Sequence, residues 1–166
     1  MKKYIALLLA LVLCTFAISA FAQSDDVITM DVTFQSQEIT VDDLGVGFLI
    51  PADFVSDVIS QQAASSDIVF SGTDAAGTYT MHVYMQYQTV DALMVFLDDN
   101  ADVTQVGEVT INDIDLIGYA LPSQNTFVVA LPVGEESMLS FVFKVATDAS
   151  GLSLEQMQII GSLFDL

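Results

Sequence analysis

Arginine is absent from this 166-residue chain, and its three lysines are Lys2, Lys3 and Lys144. Against them stand 22 acidic side chains, all beyond position 22. Nucleic acid, anionic lipid and phosphorylated or carboxylated ligands are held by the forked donors of arginine or the point charge of lysine. A chain with one cation after its first three residues is a poor host for any of them, so neither nucleic acid nor an anionic membrane is expected as a partner. Tryptophan is also missing, which removes the commonest stacking surface for sugar rings. The one cysteine, Cys14, lies in the leader region, and the one histidine is His82. One histidine and no cysteine cannot make the usual zinc ligand sets, and thiol chemistry and disulfides are excluded from the rest of the chain.

The opening Met1-Lys2-Lys3, the apolar run from Tyr4 to Ile18 and the small-x-small triplet Ala20-Phe21-Ala22 form the pattern of a cleavable export signal. Residues 1–22 are therefore read as a signal peptide cleaved after Ala22, and residues 23–166 as a single exported domain, secreted or periplasmic. The apolar run is short for spanning a bilayer of roughly 30 Å. Leu13 precedes Cys14 where lipid-modified cysteines want a small residue. An exported domain without disulfides is expected of a bacterial source.

Periodicity sets out the elements. Val27 to Gln35 alternates apolar Ile28, Met30, Val32 and Phe34 with polar neighbours and reads as a half-buried strand. Val46 to Ile50 is a second strand closed by Pro51, and Asp53 is placed to cap a helix running to about Ala64, with Phe54, Val55, Val58 and Ile59 inward. Ile68–Ser71 and Thr78–Gln88 form a hairpin. Thr89-Val90-Asp91 opens a second helix with Leu93, Met94, Phe96 and Leu97 as its stripe. Four strands follow at about 103–111, 114–121, 125–132 and 137–146, joined by connections so short that neighbours must be antiparallel. Ser153-Leu154-Glu155-Gln156 fits a capping box for a last helix that turns Met157, Ile160, Leu163 and Phe164 to the sheet, Gly161 allowing close approach. Phe127–Leu131 and Leu139–Phe143 are apolar on both faces, and such a sheet must be covered on both. The order is ββαββαββββα, an α+β domain with a mostly antiparallel sheet flanked by helices.

That order, with Gly45-Val46-Gly47-Phe48-Leu49-Ile50-Pro51-Ala52-Asp53-Phe54, the hairpin Val109–Asp115 and Ile159-Ile160-Gly161-Ser162-Leu163-Phe164, resembles the PsbP-like α/β/α sandwich over about residues 27–166. That fold is shared by a photosystem II extrinsic subunit, a Ran-binding import factor and many small secreted bacterial proteins. The resemblance implies a non-enzymatic binding or assembly module, with a protein as the expected partner. It transfers no functional residue, because partners within the fold differ.

Chemistry in the residues themselves is sparse. Any Ser-His-Asp triad must use His82, which lies on the polar face of its strand with no G-x-S-x-G elbow, and a hydrogen-bonded structural role is expected. Glu135-Glu136, or Asp113 with Asp115, are the pairs a carboxylate-dependent hydrolase would draw on, yet among 22 acids such pairs arise by chance. No catalytic residue and no resident cofactor are assigned. The best constellation is Asp98-Asp99-Asn100-Ala101-Asp102. Asp98, Asn100 and Asp102 reproduce the first three oxygen positions of a calcium loop, but Val103 stands where glycine is needed and Val109 where the bidentate glutamate belongs. These three residues are the candidate metal ligands, with calcium as the cation. The expectation is a secreted binding module; the alternatives are an acidic calcium-responsive structural protein and a carboxylate hydrolase.

Overall fold

The computed structural model describes residues 28–57, 67–146 and 151–166. The leader expected at 1–22, and residues 58–64 of the helix expected from Asp53 to about Ala64, lie outside the described residues. Strands β1 (Ser36–Val41), β2 (Val46–Pro51), β3 (Val55–Ser56), β4 (Ile68–Thr73) and β5 (Tyr79–Gln86) precede helix α1 (Val90–Asp99). Strands β6 (Thr104–Ile111), β7 (Ile114–Leu121), β8 (Thr126–Pro132) and β9 (Met138–Val145) follow, then helix α2 (Leu154–Gly161) and β10 (Phe164–Asp165).

The elements form a seven-stranded sheet in the order β3-β4-β5-β9-β8-β7-β6 and a three-stranded sheet β1-β2-β10, with every strand pair antiparallel. The α+β architecture, the 68–88 hairpin, α1, the four consecutive strands and the capped last helix all follow the sequence. Thr89 caps α1 by accepting from Ala92 N, and Ser153 and Gln156 form the reciprocal capping box of α2.

Three readings need correction. Of the strand expected over Val27–Gln35, the described residues, Ile28 onward, belong to neither sheet. The segment alternates inward and outward as its pattern requires, but its one sheet-like contact is a parallel bridge from Ile28 to Ile111. Its side chains pack on the core while its backbone is held largely by side-chain groups. The helix after Asp53 does not begin there either: Val55–Ser56 pair with Gly72–Thr73 of β4 as an edge strand, and only Phe54 of the expected face is buried among its described residues. The β-branched Val55 sits 60% exposed on that edge. Finally, Phe164 leaves the last helix and joins β10, because Gly47 opposite it on β2 has no side chain, and a Cβ there would collide with the Phe164 ring.

The inner face of the large sheet carries the main core. Met81, Val83, Leu139, Phe141 and Phe143 are sealed against Phe48 and Ile50 of β2 and Ile159 and Ile160 of α2. Aromatic rings run through it in contact, with centroids of Phe70 and Phe54 at 5.7 Å, Phe54 and Tyr79 at 5.8 Å, Tyr79 and Phe143 at 6.0 Å, and Phe141 and Phe48 at 5.1 Å. The outer face holds a smaller cluster, Ile117, Tyr119, Val128, Ala130 and Met138, covered by Leu93 and Leu97 of α1. Among the described residues no helix is long and apolar enough to cross a membrane.

Asn112 joins three pieces of the chain. With Asp113 it makes the two-residue β6–β7 turn, both at positive φ (50° and 64°), as the tightest hairpins require. Its side chain then accepts from Met30 N (2.8 Å) and donates to Met30 O (2.8 Å) and Gly161 O (2.6 Å). Gly161 is what lets the helix end come this close, since a Cβ there would lie 2.9 Å from Ile111 Cγ2 and 3.2 Å from Asn112 Nδ2. Asn112→Ala should lower stability by about 2–4 kcal/mol in urea unfolding, because it strands three polar backbone groups and strains the turn. Asn112→Gly, which keeps the backbone conformation, should lose about 1 kcal/mol less. Equal losses in the two variants would show that the turn geometry is not under strain.

Candidate functional site

The outer face of the large sheet changes character from one edge to the other. Over β7, β8 and β9 it is apolar and lies under α1. Over β4 and β5 it is polar: the register sets Ser71 opposite His82, Thr80 opposite Lys144, His82 opposite Val142 and Tyr84 opposite Ser140. Alternation along β5 forces this, because Tyr79, Met81 and Val83 point to the core and Thr80, His82, Tyr84 and Gln86 must point away. The histidine and Lys144 therefore share one face.

The structure brings together a serine, a histidine and an aspartate here. Ser71 Oγ donates to Asp57 Oδ2 at 2.8 Å and lies 3.0 Å from His82 Nδ1. A hydroxyl has one proton to give. With that proton on Asp57, the serine oxygen has only its lone pairs left for His82, and the contact requires Nδ1–H to donate to it. In a nucleophilic triad the histidine takes the serine proton and the carboxylate orients the histidine. Here the serine stands in the middle and the imidazole is its donor, an order that links β4, β5 and the segment after β3 but does not activate Ser71. Ser71 is buried at 9% exposure.

Carboxylates gather on the other side of the sheet. Tyr79 Oη donates to Glu155 Oε1 of α2 at 2.7 Å, while buried Asp74 accepts from Tyr79 N at 2.7 Å and Thr78 Oγ1 at 2.8 Å, closing the β4–β5 turn. Burial first, then the hydrogen bond and charge of Glu155 and the charges of Asp74 and Asp53, push the Tyr79 phenol well above its ordinary 10.0. Burial alone also raises Tyr119.

The three candidate calcium ligands are placed apart in role. Asp98 is exposed in the last turn of α1. Asn100 Oδ1 accepts from Asp102 N at 3.1 Å, and both Asp102 oxygens accept from Ser123, one from its backbone N at 3.2 Å and one from its hydroxyl at 2.6 Å. The oxygens of Asn100 and Asp102 thus serve as acceptors for turns within the chain. Among the described residues no group of three or more His, Cys, Asp or Glu side chains is arranged to hold a metal. The hydrolase candidates are not brought together in a cleft: Glu135 and Glu136 are exposed in the β8–β9 turn, and Asp115 accepts from Thr110 Oγ1 at 2.7 Å on the surface.

A cleft of about 430 Å³ opens between the two sheets, lined by Val46, Ile114, Leu131, Val133, Leu163 and Phe164 with Asp165 as its one acid. Its lining is mixed, with Asn112 among the wall residues, and no histidine, serine or threonine lines it. The free edge of β6 is interrupted by a bulge between Thr104 and Gly107 and is closed at its far end by Ile28, whose N–H donates to Thr110 O.

Two outcomes are expected. Stability should fall as pH rises above about 10, the ordinary phenol value, because the folded state holds the Tyr79 and Tyr119 protons that the unfolded chain releases. Tyr79→Phe should weaken that alkaline loss while costing about 1 kcal/mol at neutral pH from the missing bond to Glu155; an unchanged alkaline profile, followed by circular dichroism, would contradict it. Calcium and magnesium at equal ionic strength should raise the melting temperature alike, as screening of diffuse charge does, and Asp102→Ala should lower it through loss of the Ser123 contacts. A rise specific to calcium would instead identify the loop as a metal site.

No protein-family model matches the chain, and no curated protein matches it in sequence. Among solved structures it is similar to cyanobacterial PsbP (CyanoP) from Synechocystis, with a TM-score of 0.53 at 11% identity over 81% of this chain and 95% of that one. At that identity the likeness is one of fold and carries over no residue. The chain has a PsbP-like α+β fold.

Proposed function

We propose that the protein is an exported, non-enzymatic binding or assembly module whose partner is another protein. The observation that carries this reading is the wiring of Ser71. The one serine–histidine–aspartate group among the described residues spends the serine proton on Asp57, so its geometry suits holding strands together and not attacking a substrate. The cleft between the sheets offers no general acid or base beside Asp165, and the paired acids named by the sequence lie exposed, on turns or, for Asp115, on the surface of β7. The PsbP-like fold supports the same reading at the level of architecture.

Export with cleavage after Ala22 is part of this proposal, and the test combines the two. Protein recovered from the extracytoplasmic fraction of its own host should begin at Gln23 by intact mass, and after mild chemical cross-linking it should migrate with a second polypeptide. His82→Gln should leave that complex intact. Recovery solely as a free monomer, with a hydrolytic activity that His82→Gln abolishes, would replace the binding reading with the hydrolase one.

A further inference from the structure

We propose that helix α1 is the docking element of the module, and that its occupant is a partner protein presenting an apolar groove rimmed by lysine or arginine. The inference rests on the binding-module reading above. Leu93 and Leu97 alone anchor the helix, at 4% exposure each. With 100° between successive residues, Val90 and Met94 fall on one flank of that seam, Phe96 on the other, and Val95 points away from the sheet. These four are exposed by 39, 38, 46 and 61%, and Tyr87 just before the helix by 71%. Apolar side chains thus run round the helix far beyond the stripe its seat requires. Apolar surface in that excess over the seat marks a contact face, and on this domain nothing among the described residues buries it.

The polar positions of α1 name the occupant. They are Asp91, Asp98 and Asp99, with no cation in the helix, on a chain carrying one lysine after its third residue. A second copy would set these acids against one another, in a molecule with no arginine to pair them. A bilayer is equally unsuited, since helices that lie on membranes carry lysine and arginine beside their apolar face. A basic-rimmed groove meets both demands: it buries the Phe96, Met94 and Val95 side chains and neutralises Asp91, Asp98 and Asp99. Insertion of an apolar helix into such a groove is a common recognition mode, and phenylalanine and methionine are enriched in the buried centres of interfaces.

The test uses the full-length protein carrying a benzoylphenylalanine photo-cross-linker at Val95, at Thr80 on the polar sheet face, or at Val106 on the β6 edge, irradiated in the exporting cells. The protein captured from position 95 is then purified for affinity measurements. Expected is capture from 95 alone, an affinity that falls steeply with salt, and a loss of at least tenfold for Met94→Ala with Phe96→Ala, with the melting temperature held within a few degrees because both side chains are exposed. Asp91→Lys with Asp99→Lys should weaken binding further, whereas Asp43→Lys, away from the helix, should not. Capture from position 80 or 106 alone would refute the surface and leave the module reading standing. A captured second copy, a salt-insensitive complex, or co-sedimentation with phosphatidylcholine vesicles that Phe96→Ala abolishes would refute the occupant. Capture from none of the three positions would overturn the inference, and only absence of any cross-linked complex in the exported fraction would remove the module reading with it.

Discussion

A seven-stranded sheet that is apolar on its inner face and on the β7–β9 part of its outer face has to be shielded from water on both, and this domain has unequal means of doing so. Its inner face is closed by a second sheet and by α2, which bring Phe48, Ile50, Ile159 and Ile160 to zero exposure against Phe141 and Phe143. Its outer face has α1, anchored by two leucines whose burial is worth about 1.5–3 kcal/mol each. Without a disulfide in residues 23–166, no covalent link offsets the difference. The rest of the molecule follows from that asymmetry: a rigid inner layer, and an outer layer held by less than its apolar area invites.

The inner layer is held by side chains acting as substitute backbone. The segment before β1 has little ladder pairing, so its polar groups are met from elsewhere: Asn112 takes both polar groups of Met30, and Gln158 of α2 donates to Asp31 O at 2.6 Å and Thr33 Oγ1 at 3.1 Å. Ser162 donates to Ile159 O at 2.6 Å and accepts from Leu49 N at 2.8 Å, tying the helix end to β2. Gln156 and Gln158 are buried at 2 and 5%, and among the described residues no buried side-chain polar atom lacks a partner. Buried amides are tolerated on these terms, because an unpaired one would cost about 1–3 kcal/mol.

Much of this was legible in the sequence, for reasons that are local. Thr89, Ser153 and Gln156 announce helix starts through hydrogen bonds made within three residues, and Asn112-Asp113 announces a turn through its tolerance of positive φ. Alternation placed the 28–34 side chains correctly yet failed to show that their backbone lacks strand partners, since period two reports which way side chains point and not what pairs with the chain. Pro51 followed by Asp53 imitates a helix start, and only the tertiary pairing of Val55 and Ser56 with β4 overrides it. Of the candidate site residues, His82 was readable as a polar-face histidine. Its link to Ser71 depended on a register fixed by the length of the Asp74–Thr78 turn, and Asp57 was hidden by the helix reading. Asp98, Asn100 and Asp102 were readable as oxygen ligands, but that Ser123 donates to Asp102 is a contact 21 residues away that spacing does not express.

The chain's charge gives the outer layer its meaning. The chain carries 22 acids and no arginine, and its outer layer presents an acidic helix whose apolar side chains exceed its own seat. Hydrogen exchange in the isolated domain tests this most directly. If α1 is as lightly held as its two anchoring leucines imply, the amides of 93–99 should exchange through a local opening well below the free energy of global unfolding, while those of β5, β8 and β9 exchange only with the whole domain. Protection of α1 equal to that of β8 and β9 would mean that the outer face is fully covered in the free protein and that the helix is part of the core.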